Sequence, residues 1–160
     1  MNKATFAAGC FWGVQFYFDQ VPGVTKSVVG YTGGHTENPT YEDVCTHTTG
    51  HAEATELEFD PEVVSYETLV MHFFRMHDPT QLNRQGPDVG DSYRSAIFYH
   101  DDEQKEIAEK VLRSTQKDFE EPVVTEITKA GPFYLAEDYH QKYSEKTGMG
   151  ACHIPYAPVG

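Results

Sequence analysis

Cysteine is scarce in this chain: Cys10, Cys45 and Cys152 are the only three in 160 residues. An odd number of widely spaced thiols does not make a disulfide scaffold, and suits either chemistry or burial in a reducing compartment. Basic residues are also few, 12 against 25 acidic ones, for a net charge of −13. With no Lys/Arg cluster to offset that charge, a phosphate backbone would be repelled, so nucleic acid is not an expected partner. No apolar run reaches the roughly 18 residues of a candidate membrane span. The segment Met1 to Ala8 lacks the basic stretch and long apolar core of a secretory signal. The expected setting is therefore the cytoplasm, away from any membrane. Internal repeats and low-complexity tracts are missing as well.

What the chain does have is core-forming material. Hydrophobic residues make up 39% and aromatics 13% of a length that suits one domain, residues 1–160. Thr5 to Ala8 reads as a strand that enters a turn at Gly9. Gly13 to Gln20 has helical spacing in Val14, Tyr17 and Phe18. Val24 to Tyr31 is β-rich, and Gly33 to Asp43 is a Gly-, Asn- and Pro-bearing loop. His51 to Phe59 alternates well enough for a strand. Ser65 caps a helix with Tyr66, Leu69, Val70, Phe73 and Phe74 on one face. Asp78 to Ser92 is a long loop, of the kind that is often functional. A strand over Ser95 to His100 follows. Next comes a helix capped by Asp101 or Asp102, with Ile107, Ala108, Val111, Leu112 and Phe119 as its stripe. Val123 to Thr128 reads as the last strand and Asp138 to Glu145 as a short helix. Residues 147–160 read as an irregular, mobile tail carrying Cys152. The expected fold class is α+β: a mixed β-sheet with packed helices. Its first six elements have the order of a ferredoxin-like, split βαβ core.

Cys10 stands between a strand and a helix. Unpaired N–H groups at a helix N-terminus favour a thiolate and so raise its nucleophilicity. Phe11 and Trp12 beside it can form an apolar cup for a methyl or thioether group, or can simply pack. Other chemistries can be read from the same residues. Cys45, His47 and His51 have a C-x-H-x3-H spacing that hints at zinc, although no fourth ligand is evident nearby. Cys10 with His51 or His140 could form a hydrolase pair. Phe11, Trp12, Tyr41 and Tyr93 could cage a methylated ligand without any reaction.

Gly9-Cys10-Phe11-Trp12-Gly13 resembles the signature of the peptide methionine sulfoxide reductase A family. Five further blocks follow in that family's order. They are Gly30-Tyr31-Thr32-Gly33-Gly34, Asn38 to Cys45, Thr49 to Ala54, His77 to Gly90 continued by Tyr93 to Ile97, and Ala136 to Gln141. The resemblance spans nearly the whole chain. It implies a thiol-dependent enzyme that reduces methionine S-sulfoxide, in proteins and also as the free amino acid, without metal or other cofactor. Cys10 would be the nucleophile and Glu53 the acid that protonates the oxygen. Tyr41 and Tyr93 would be hydroxyl donors to that oxygen, with Phe11, Trp12 and Asp88 lining the site. Cys152 would resolve the Cys10 sulfenic acid as a disulfide. A dithiol reductant such as thioredoxin would then reopen it. Cys45 reads as structural, and a monomer is expected. Two departures stand out: Ala151 replaces a residue that is often aromatic, and Ser92 stands where glutamine is common, which would alter the pocket rim.

Overall fold

The computed structural model describes residues 2–9, 11–46, 49–85 and 88–137, with the side chains of residues 45, 88 and 89 excepted. The short helix expected over 138–145 and the tail over 147–160 lie outside these residues, as do Cys10 and Cys152.

The sheet is built around β1 (Asn2–Ala8), whose residues alternate between two faces. Ala4, Phe6 and Ala8 point to the main core, while Ala7 points to the other side. After α1 (Phe11–Asp19) the chain returns as β2 (Val24–Thr32), and after α2 (Tyr41–Cys45) as β3 (Ala52–Phe59). β3 lies between β1 and β2, antiparallel to both. Following α3 (Tyr66–Arg75), a small hairpin forms from β4 (Arg84–Gln85) and β5 (Asp88–Val89), and a 3₁₀ turn covers Asp91–Tyr93. β6 (Ser95–Tyr99) then joins β1, antiparallel. α4 (Asp102–Gln116) leads to β7 (Glu126–Lys129), parallel to β6, and β8 (Phe133–Leu135) closes the far edge against β2. The six-stranded order is β7-β6-β1-β3-β2-β8. The α+β class, a mixed sheet with packed helices, is thus the observed one.

Large side chains fill one face. Phe6 stacks on Phe18 and Phe73, each with ring centroids 5.3 Å apart. The α3 stripe Tyr66, Leu69, Val70, Phe73 and Phe74 is buried as its spacing predicts. Ser65 accepts from the Thr68 N–H, and Asp101 accepts from the Gln104 N–H at the start of α4. The opposite face carries small residues, Ala7, Ala52, Ala54 and Ala96, around Phe98.

Several boundaries differ from the expectation. α1 begins at Phe11, not Gly13. The predicted loop over Gly33 to Asp43 ends early because Thr40 and Asp43 form a reciprocal capping box that starts α2. The long loop over Asp78 to Ser92 contains the β4–β5 hairpin and most of the 3₁₀ turn. β7 starts at Glu126 because the preceding N–H groups are used elsewhere: Val123 donates to Gln116 Oε1 (2.7 Å) and Val124 to the Pro79 carbonyl (2.8 Å). Phe119 lies beyond the end of α4. β8 was not expected. Its backbone crosses so near Gly30 that any Cβ there would overlap the Tyr134 carbonyl. Among the described residues, no helix is long and apolar enough to cross a membrane.

Candidate active site

Strand directions bring the candidate residues to one end of the sheet. β1 runs toward Gly9 and hands the chain to α1 one residue later. β3 is antiparallel to β1, so its first residues, including Glu53, lie at that same end. β2 runs alongside in the other sense, and its Tyr31 stands directly across from Glu53. In β6 Ser95 pairs with Ala8, which puts the turn holding Tyr93 at this end too. Side chains directly opposite in an antiparallel pair share a face. Tyr31 and Glu53 therefore both point to the side that carries α1.

Glu53 is 2% exposed, and its Oε1 accepts a hydrogen bond from the Phe11 N–H at 3.3 Å. That bond fixes the carboxyl against the residue that follows Cys10. Phe11, Val29, Tyr31, Val44 and Ala136 form a small apolar cluster, with Trp12 and Tyr41 packed against it half-buried. Phe11 itself is fully covered. Its ring lies 5.7 Å from that of Tyr31 at 39° and 6.3 Å from that of Trp12 at 40°. Phe11 is thus the floor of this corner, and Trp12 and Tyr41 are its accessible edge.

Gln85 packs close to the turn before position 10. Gly9 has φ +91°, a left-handed conformation that suits glycine. A Cβ there would meet the Gln85 side chain at 3.0 Å. Gln85 is itself clamped, accepting from the Asp78 N–H (2.7 Å) and donating to the Asp78 carbonyl (2.9 Å). Asp88 pairs with Gln85 in the β4–β5 hairpin, so its backbone belongs to the same clamp. The Gly90 N–H donates to the Asn83 carbonyl at 2.9 Å and closes the hairpin. Tyr93 is half-buried in the following turn. Ser92 is 1% exposed, so this departure from the family pattern sits in the interior and not on a rim.

His51, weighed above as a metal ligand or a hydrolytic base, has both ring nitrogens committed. Nδ1 accepts from the Gly34 N–H at 3.0 Å, and Nε2 donates to the Thr36 carbonyl at 2.7 Å. With Nδ1 accepting and Nε2 donating, both nitrogens are engaged by backbone groups and not by a metal or a thiol. Among the described residues, no group of three or more His, Cys, Asp or Glu side chains is placed to hold a metal ion. His47, His140 and the Cys45 side chain lie outside them.

Two residues of this corner carried no role in the sequence reading. Tyr31 gains its place from the β2–β3 register. Glu137 gains its place from hydrogen bonds to residues 106 and 96 positions away, the Tyr31 hydroxyl and the Tyr41 N–H, each at 3.3 Å. Both residues lie inside recognised blocks, which was the one signal available.

Known proteins resemble this chain over nearly its whole length. The family model described as "Peptide methionine sulfoxide reductase" matches residues 2–159. A "Peptide methionine sulfoxide reductase MsrA" of Methanosarcina mazei is 58% identical over 151 residues, 93% of this chain and 72% of that protein. The crystal structure of Mxr1 from Saccharomyces cerevisiae in reduced form aligns with a TM-score of 0.92 at 32% identity, covering 98% of this chain and 92% of that one. Mxr1 in complex with Trx2 aligns with a TM-score of 0.63 at 26% identity, covering 89% and 84%.

Proposed function

This chain belongs to the peptide methionine sulfoxide reductase family and is an oxidoreductase of that kind, and from that premise we propose how its residues share the reaction. The Cys10 thiolate attacks the sulfur of methionine S-sulfoxide. Glu53 delivers a proton to the oxygen, and Tyr41 and Tyr93 donate hydrogen bonds to it. The oxygen leaves with Cys10 as a sulfenic acid, and methionine is released. Cys152 then condenses with that sulfenic acid, giving a Cys10–Cys152 disulfide and water. A thioredoxin dithiol reduces the disulfide by exchange.

The observation that carries this reading is the bond from the Phe11 N–H to Glu53 Oε1. It ties the proposed acid to the residue next to the proposed nucleophile. An acid working near pH 7 has to keep its proton. A carboxyl withdrawn from water, as Glu53 is at 2% exposure, is the kind that does so. Trp12 and Tyr41 offer apolar surface for the substrate methyl group, over a floor made by Phe11. Asp88 is assigned to the substrate site by its family block alone.

Further parts of the reading are of the same standing. The chain acts as one domain and as a monomer, with 147–160 as the tail that brings Cys152 to Cys10. Free and protein-bound sulfoxides are both substrates. The scarcity of cysteine supports a reducing, cytoplasmic setting. The acidic surface opposes nucleic-acid partners. The four-strand order β6-β1-β3-β2, antiparallel throughout, supports reading the core as a ferredoxin-like split βαβ unit.

Separately prepared S and R epimers of an N-acetylmethionine sulfoxide amide test the reading, with dithiothreitol as reductant. The S epimer is consumed, the R epimer is not, and Cys10→Ser consumes neither. Equal consumption of both epimers, or turnover by Cys10→Ser, contradicts it.

A further inference from the structure

Glu137 lies two residues past β8 and links β2 to the start of α2. The chain leaves β8 at Leu135, and the Ala136 N–H donates to the Val29 carbonyl at 3.0 Å, which stitches this stretch onto β2. The Glu137 carboxylate accepts from the Tyr31 hydroxyl at Oε1 and from the Tyr41 N–H at Oε2. Tyr31 is fully buried, faces Glu53 across the ladder and supports the Phe11 ring. Tyr41 is the first residue of α2, so its N–H is one of the donors that a helix start leaves without an intrahelical acceptor.

The internal integrity of α2 is already provided. Thr40 and Asp43 cap it reciprocally, and a capping box satisfies its own helix without reference to anything distant. What a capping box cannot do is place the helix relative to the sheet. The two Glu137 bonds do that, from residues 96 and 106 positions away. One carboxylate thus sets the start of α2 against the Tyr31 side chain that flanks Glu53.

We propose that Glu137 is a positioning residue for sulfoxide reduction. It holds Tyr41 and Tyr31 so that the Tyr41 hydroxyl and the Glu53 carboxyl meet the same oxygen. This rests on the reading above, in which Tyr41 and Glu53 serve that oxygen. The bonds they make strengthen as the S–O bond breaks. Misplacement should therefore slow the chemical step more than it weakens substrate binding.

The test is single-turnover reduction of N-acetylmethionine S-sulfoxide amide by pre-reduced, full-length protein over a range of substrate concentrations, with thermal melting of each variant. Glu137→Ala removes both bonds, and its saturating rate should fall by about tenfold or more, since small displacements in a preorganised site are costly. Its half-saturating concentration should stay within about twofold, because the loss is confined to the transition state. Glu137→Gln is the rescue. Its amide oxygen accepts from the Tyr41 N–H, and its amide N–H donates to a reoriented Tyr31 hydroxyl. The rate should return to within about threefold of wild type, as both bonds persist in neutral form. Tyr31→Phe deletes one bond and should fall between wild type and Glu137→Ala, and it serves if the alanine variant does not fold. An unchanged saturating rate in Glu137→Ala or Tyr31→Phe, whatever happens to the melting temperature or half-saturation, overturns the inference. So does a glutamine variant as slow as the alanine one. A wild-type protein that reduces no sulfoxide overturns the underlying reading, and this inference with it; an active wild type with an equally fast Glu137→Ala overturns the inference alone.

Discussion

Glu53 shows how far a single residue can depart from what its local pattern suggests. In an alternating strand a glutamate reads as solvent-facing, yet here it is 2% exposed and bonded to the backbone of α1. A glutamine at this position keeps the volume and can still accept from the Phe11 N–H, but it has no acidic proton to give. General acid–base groups contribute about 10²–10⁴-fold, so Glu53→Gln should slow the single-turnover rate by roughly 10²-fold or more. Melting temperature should change little. A glutamine variant with a wild-type rate contradicts the assignment of the acid. Glu53 was marked by its sequence block and not by periodicity, because its surroundings come from β2 and α1 and not from neighbours in its own strand. Tyr31 and Glu137 were missed for the same reason. Their contacts are products of register and of a sequence separation of 106 residues.

Elements long enough to show a period were legible, and short ones were not. In α3 the stripe Tyr66, Leu69, Val70, Phe73 and Phe74 recurs at helical spacing and is buried, with His72 buried beside it and Met71 left exposed. α2 has five residues and β8 has three, which is too little for any period to emerge. The Thr40–Asp43 pair was the local sign of α2, and β8 owes its existence to pairing with β2. α3 and the residues just after it also carry a pH dependence. Burial pulls His72 down to about 4, with Arg75 adding to the effect, while its Nδ1 shares a 2.7 Å hydrogen bond with the Tyr17 hydroxyl. Burial likewise lowers His77 to about 4, outweighing its bond to the Phe73 carbonyl and the nearby Asp78. The His77 Nδ1–H donates to that carbonyl, and its Nε2 meets the Ser95 hydroxyl, which in turn meets Thr125, every step at 2.7 Å. Both folded values lie below the ordinary histidine value of 6.5, so the unfolded chain binds more protons between the two. The stability these histidines contribute is complete above pH ~6.5 and is lost as pH falls toward ~4. Urea midpoints measured across that range should decline with falling pH, and His77→Gln should flatten the decline. A midpoint that rises on acidification over that range contradicts the buried, neutral state of both rings.

At the scale of the whole molecule, the fold works as a funnel toward one sheet end. β1, β2, β3 and β6 each deliver a residue or a turn there, and Gln85 of the β4–β5 hairpin packs close to the turn at Gly9. The α+β class was readable from the order of strands and helices. The convergence was not, because it depends on which strands lie side by side. The proposed chemistry is a two-thiol cycle, in which Cys10 takes the oxygen and Cys152 resolves the sulfenic acid. Single-turnover reduction with thiol counting tests that most directly. Pre-reduced protein is mixed with excess methionine S-sulfoxide without reductant, and methionine and free thiols are measured. Wild type should form one methionine per chain and lose two thiols. Cys152→Ser should also form one methionine, lose one thiol and yield a trappable sulfenic acid. A second thiol lost in that variant would move resolution to Cys45, and no methionine from wild type would contradict the account altogether.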